Sequence, residues 1–75
     1  MSRPDAPHGS PEKYREFIHE MAGLAALQAG LAMRYAELGD DAGLSYAMRR
    51  WVAYTRAAVD TLKDLKAMKE QEEFR

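Results

Sequence analysis

Apolar residues between residues 14 and 38 recur at alternating intervals of three and four. This spacing predicts an α-helix that packs against other helices at a shallow angle. One position of the repeat holds Tyr14, Met21, Gln28 and Tyr35, and the other holds Phe17, Leu24, Leu31 and Leu38; Ile18, Ala25, Leu27 and Ala32 flank them.

The centre of this helix, Met21 to Met33, is apolar on every face except at Gln28. A surface helix keeps a polar side, so a helix of this kind is normally buried all round. Its thirteen residues are fewer than the about 20 that span a bilayer. One further helix of a short chain cannot surround it. We therefore expect self-association or a partner protein.

The back of the same helix carries only small side chains. Each glycine there costs about 1 kcal/mol relative to alanine in a helix, so helix formation alone does not explain this surface. We expect another backbone to pack closely against it. Its members are Ala22, Gly23, Ala26, Ala29, Gly30 and Ala36.

The ends of two helices can be placed from capping residues. Ser10 and Pro11 suit the first positions of a helix, whereas Gly39 suits the left-handed residue after its end and an aspartate can cap the next helix. The prediction is a flexible arm over residues 1–9, helix 1 over 10–38, a turn at 39–41 and helix 2 over 41–72. A connection this short makes the helices antiparallel.

Helix 2 carries its own apolar stripe. The stripe comprises Leu44, Met48, Trp51, Thr55, Ala58, Leu62 and Leu65, widened by Ala47, Val52, Tyr54 and Val59. The predicted fold is all-α: a long antiparallel helical hairpin that dimerises into a four-helix bundle, with Gln28 fixing the register of association. A break near Gly30 or Gly43, which gives three shorter helices, is the alternative.

Composition supports association. A chain of 75 residues buries little surface alone and usually needs disulfides, a metal or oligomerisation. It has no cysteine and two histidines, so neither disulfides nor a structural zinc site is expected.

Charge and targeting signals narrow the partners. The net charge of −1 gives no global attraction to nucleic acid or an anionic membrane. The first residues lack the apolar segment of a secretory signal, so we expect a cytoplasmic protein without a membrane partner. Alanine and arginine are frequent relative to isoleucine and lysine, which favours a bacterial or phage genome.

Few residues suggest chemistry. Glu16 and His19 have the Glu-x-x-His spacing of carboxylate metal bundles, but they lie off the apolar positions and helix 2 has no glutamate before Glu70. Asp40 and Asp41 lack the further oxygen ligands of a calcium loop and suit capping. We find no activated nucleophile and no phosphate-binding loop, so no enzymatic activity, metal or cofactor is expected.

A basic row on helix 2 supports an alternative function. Arg49, Arg56 and Lys63 recur every seven residues and could contact phosphates. Trp51 and Tyr54 could stack on bases or line a ligand pocket, although aromatic residues at helical spacing more often fill a core.

Five residues around the turn resemble a known repeat. They are similar to the first helix and turn of a tetratricopeptide repeat, a resemblance that implies a helix–turn unit and carries no peptide-binding residues, since helix 2 departs from the pattern and no second repeat follows. These residues are Leu31, Ala32, Tyr35, Gly39 and Asp40.

The sequence thus predicts a small, non-enzymatic interaction or assembly protein that acts through apolar helix faces. Its alternative is a nucleic-acid-binding accessory protein that uses the basic face of helix 2. The predicted interaction residues are Phe17, Met21, Gly23, Leu24, Leu27, Gln28, Gly30, Leu31, Tyr35 and Trp51.

Overall fold

A computed structural model describes residues 10–73 as two helices packed against each other, α1 (Pro11–Leu38) and α2 (Asp41–Glu73). The predicted all-α helical hairpin is confirmed. Gly30 and Gly43 both lie within continuous helix, so the alternative of three shorter helices is wrong. The predicted arm, residues 1–9, lies outside the described residues.

The first turn of α1 is capped by its own sequence. Ser10 has extended backbone angles, and its hydroxyl accepts a hydrogen bond from the Lys13 N–H at 3.2 Å. Pro11 occupies the first turn, where its missing N–H would have no helical partner. Glu12 adds a negative charge at the positive end of the helix dipole.

Two residues reverse the chain between the helices. Gly39 adopts φ 71° and ψ 23°, a left-handed conformation that is costly for residues with a Cβ. The Asp40 N–H then donates to the Tyr35 carbonyl at 2.9 Å, and the Gly39 N–H donates to the Ala36 carbonyl at 3.2 Å. The Asp40 carboxylate accepts from the Gly43 N–H at 3.0 Å and caps α2.

The buried stripe of α2 is rotated relative to the predicted one. Half of the predicted stripe is at the interface with α1, but Met48 and Leu62 are 42% and 41% exposed. Ala47 and Thr61, each one residue earlier along the helix, face α1 in their place. The buried or half-buried row is Leu44, Ala47, Trp51, Tyr54, Ala58, Thr61, Leu65 and Met68.

The interface of α1 agrees more closely with its predicted positions. The exceptions are Leu27, which is 58% exposed on another face, and Leu38, which is 79% exposed because α1 ends there and α2 starts only three residues later. No residue of α2 lies beyond Leu38 to cover its side chain. The buried or half-buried residues are Tyr14, Phe17, Ile18, Met21, Leu24, Ala25, Gln28, Leu31, Ala32 and Tyr35.

The hairpin is one helix thick. Its principal extents are 55 × 24 × 14 Å, and the smallest of these is close to the roughly 10–12 Å diameter of one helix. Among residues 10–73 no large side chain is fully buried, and the buried hydrophobic residues are Ala25, Ala32, Ala47 and Leu65. The core between the two helices is therefore narrow and made mostly of alanine.

Gly43 leaves room for an aromatic side chain of α1. A Cβ built on Gly43 would lie 2.5 Å from Cδ1 and 2.9 Å from Cγ of Tyr35, so the ring lies directly over this glycine. We expect Gly43→Ala to lower the free energy of unfolding by about 1–2 kcal/mol, because overpacking outweighs the gain in helix propensity of about 1 kcal/mol. Urea denaturation monitored by circular dichroism measures the change.

Gly30→Ala is the matched control for that variant. A Cβ at Gly30 would have no atom within 4 Å, so this variant should be more stable by up to about 1 kcal/mol. Equal stabilisation by both substitutions would contradict the Tyr35 contact.

Candidate interaction surface

One half of the apolar stripe of α2 is not covered by α1. Four large apolar side chains form this half, each roughly two-fifths exposed: Met48 (42%), Val52 (38%), Val59 (45%) and Leu62 (41%). Thr55, at the centre of the row, is half-buried. These residues repeat at intervals of four and three, so they lie along one line of the helix surface.

A row of small residues lies beside them on α1. Each helix has two flanks beside the interface, and one of them is reached by rotating onward in the direction in which the chain winds. Because the two helices are right-handed and antiparallel, these two flanks lie on the same side of the pair. On α1 this flank is Ile18, Ala22, Ala25, Ala29, Ala32 and Ala36. We call this row, together with Met48, Val52, Thr55, Val59 and Leu62, the apolar side of the hairpin.

The opposite side of the hairpin carries charges. Glu20 and Arg34 lie there on α1, and Arg50 and Asp64 lie there on α2, all of them exposed. Leu27, which is 58% exposed, lies among them. By contrast, none of the residues that form the apolar side is ionisable, and Arg56, Asp60 and Lys63 border it on α2.

The predicted interaction residues fall into two groups. Most are buried or half-buried where α1 meets α2, so that in the hairpin they hold the two helices together: Phe17, Met21, Leu24, Gln28, Leu31, Tyr35 and Trp51. The other three, Gly23, Leu27 and Gly30, are exposed. A Cβ at either of these glycines would have no atom within 4 Å, so α2 does not cover the small-residue surface of α1.

Gln28 lies within the interface between the helices. It is 9% exposed, and its side-chain Oε1 has no hydrogen-bond partner among the described residues. A buried carbonyl oxygen without a partner is destabilising. Gln28 is therefore a polar residue that the hairpin alone does not satisfy.

The basic row of α2 lies along the outer surface of that helix. Arg49, Arg56 and Lys63 are all exposed. The neighbouring Arg50 is engaged with aromatic rings: its guanidinium lies 5.7 Å from the ring centre of Tyr46 and 5.2 Å from that of Tyr54, and it donates a hydrogen bond to the Tyr54 hydroxyl. These distances are typical of cation–π pairs.

Three aromatic side chains lie at the contact between the helices. Tyr35, Trp51 and Tyr54 are half-buried against the other helix. A shallow, open depression runs along α2 beside Trp51, and Val52, Thr55, Arg56, Val59, Asp60 and Lys63 complete its lining. It overlaps the exposed row of the apolar side.

The residues considered for metal binding are dispersed. Glu16 and His19 are exposed, and Glu16 pairs with Lys13 at 3.8 Å on the surface of α1. Asp40 acts as the cap of α2. Within the part of the chain that the structure describes, no three histidine or carboxylate side chains are grouped as metal ligands.

Neither helix among residues 10–73 has an apolar segment long enough to cross a membrane. No protein family matches the sequence, and no curated protein or solved structure matches it significantly. The function is therefore inferred from the surface of the hairpin itself.

Sequence reasoning identified the apolar residues of α2 but not their division between two surfaces. The signal that distinguishes them is the size of the side chain. The row against α1 includes Ala47, Ala58 and Thr61, whereas the uncovered row holds methionine, valine and leucine. Small residues are what a close helix–helix contact requires.

Proposed function

We propose that this protein is a small, non-enzymatic interaction or assembly protein, acting as an adaptor, regulator or structural subunit through its apolar helix faces. The observation that supports the proposal most directly is the incomplete core. A hairpin one helix thick, with no large side chain fully buried among its described residues, leaves the apolar side without a covering layer.

Such a hairpin gains little free energy of folding from the burial of apolar surface. Apolar burial contributes about 25 cal/mol per Å², and conformational entropy opposes it at about 1–2 kcal/mol for each ordered backbone residue. Short chains without disulfides or metals usually close this gap by association. Covering Met48, Val52, Val59 and Leu62 would add burial where the hairpin now exposes it.

Association should make thermal stability depend on protein concentration. We expect the unfolding midpoint to rise by several degrees between about 1 and 100 µM, because mass action stabilises the associated folded state. Circular dichroism melts over this range measure it. A cooperative transition whose midpoint does not change with concentration would contradict self-association.

The alternative is a nucleic-acid-binding accessory protein. The observation that favours it is the exposure of Arg49, Arg56 and Lys63 along one line of α2, since phosphate contacts require accessible cations. Fluorescence anisotropy with a labelled duplex of about 20 base pairs tests it. Binding whose affinity falls steeply with salt, and which is lost in a triple Arg49→Gln, Arg56→Gln, Lys63→Gln variant, would favour this alternative.

A further inference from the structure

The apolar stripe of α2 is wider than the contact with α1. On a helix of 3.6 residues per turn, Leu44, Trp51 and Ala58 lie at the centre of the stripe, and the rows through Ala47 and Met48 lie on either side. α1 covers the centre and the row through Ala47, whereas the row through Met48 is exposed except at Thr55. A stripe of this width is typical of a helix with two helical neighbours, as in a four-helix bundle.

We propose that a second copy of this chain covers the apolar side, so that α2 of each copy packs antiparallel on α1 of the other. This inference rests on the proposed function and names the partner and the face. The two copies are related by a two-fold axis parallel to the helices. Each helix then has two antiparallel neighbours, one from its own chain and one from the second copy.

The two halves of the apolar side are complementary in size. The α2 half presents Met48, Val59 and Leu62, whereas the α1 half presents alanine at Ala22, Ala29 and Ala36 beyond Ile18. A two-fold axis along the helices places the large α2 side chains of each copy on the small α1 side chains of the other copy. The same patch therefore serves both copies, as an isologous interface requires.

The register of the hairpin indicates which residues would meet. Tyr35 lies over Gly43, so residues whose numbers sum to about 78 are at the same height along the two antiparallel helices. The proposed axis keeps these heights. Val59 of one copy therefore lies between the second copy's Ile18 and Ala22, within about one helical turn of each.

Charge and area favour this side over the opposite one. The residues of the apolar side are all uncharged and Arg56 and Lys63 lie only at its edge, whereas the opposite side would bring Glu20, Arg34, Arg50 and Asp64 into an interface. The rows of α1 span about 27 Å at 1.5 Å per residue, and the hairpin is 24 Å wide. The product of these two lengths is an area of about 650 Å², which is comparable to what each partner buries in a specific interface, about 800 Å².

Cysteine cross-linking tests the arrangement, because the natural chain has no cysteine. Separate Ala22→Cys and Val59→Cys proteins are mixed, unfolded, refolded together and treated with a short bis-maleimide. Only a link between two chains can then join the two different cysteines. We expect a covalent heterodimer from the mixture and little cross-linking within either single preparation.

A matched pair on the opposite side provides the control. Leu27→Cys and Ala53→Cys are both at exposed positions away from the apolar side, so their mixture should not cross-link. Circular dichroism of each variant verifies that it has folded.

Each other outcome contradicts the inference in a recognisable way. Cross-linking of Leu27→Cys with Ala53→Cys alone would place the association on the opposite side and keep the proposed function. Efficient cross-linking of Ala22→Cys with itself would mean that like helices face each other. A folded, monomeric protein with no cross-linking in any mixture would overturn both the inference and self-association.

Discussion

Val59→Glu is expected to convert the associated protein into a monomer. In the hairpin alone Val59 is 45% exposed, so a glutamate there would remain in water and would slightly favour the helix. In the proposed bundle the same side chain is buried against alanines and loses its hydration, and Arg56 and Lys63 at the edge of the interface compensate its charge only in part. Burying a charge without full compensation costs several kcal/mol.

The expected size of the effect follows from symmetry. A two-fold interface contains the substitution twice, so even about 3 kcal/mol for each copy would weaken association by roughly 10⁴-fold at about 1.4 kcal/mol per tenfold. Size-exclusion chromatography with light scattering, at concentrations where the natural chain is associated, measures the change in mass.

Ala53→Glu is the control for that experiment. Ala53 is also on α2 and exposed, but it faces away from the apolar side, so this variant should remain associated. If Val59→Glu and Ala53→Glu have the same mass as the natural chain, the apolar side is not the interface.

Ala47→Leu is expected to have the largest effect on the hairpin itself. Ala47 is completely buried, and Ala32, which is at a similar distance from the turn on α1, is 6% exposed. Two buried alanines at the same height mean that the helices lie closest there. A leucine would force them apart and should cost about 2–3 kcal/mol of unfolding free energy, near the upper part of the range for overpacking.

Urea denaturation measures this loss, with Ala53→Leu as the control. Both substitutions exchange alanine for leucine on α2, but position 53 is exposed and should tolerate the larger side chain. A fully stable Ala47→Leu protein would contradict the close contact between the helices.

The helix ends were predictable because their causes are local. Ser10 provides a hydroxyl for orphan N–H groups, Gly39 can adopt a positive φ, and the Asp40 carboxylate can reach a backbone N–H three residues later. Each of these interactions involves residues within five positions of one another. The interval of three and four on α1 likewise predicts one face without reference to the rest of the chain.

The division of α2 into two surfaces was not predictable in the same way. Its stripe is apolar over both rows, so periodicity centres it between them and cannot indicate which row faces α1. That choice depends on tertiary packing: Tyr35 lies over Gly43, and Ala47 is buried. Met48 and Leu62 were therefore placed at the interface within the hairpin, although both are exposed there.

The candidate surface was predicted in part. The expectation that the apolar residues exceed what one neighbouring helix can cover agrees with the exposure of Met48, Val52, Val59 and Leu62. Their location on α2 was not expected, because the sequence drew attention to the all-apolar segment Met21 to Met33. In the hairpin that segment contributes alanines to the apolar side and leaves Gly23, Leu27 and Gly30 exposed on other faces.

The most direct test of the account is the molecular mass of the full chain in solution. Sedimentation equilibrium at several micromolar concentrations should give about 17 kDa, twice the 8.5 kDa of one chain, with a reversible shift toward the monomer on dilution. A species of 8.5 kDa at every concentration, folded and unfolding cooperatively, would contradict the claim that the hairpin is completed by a second copy.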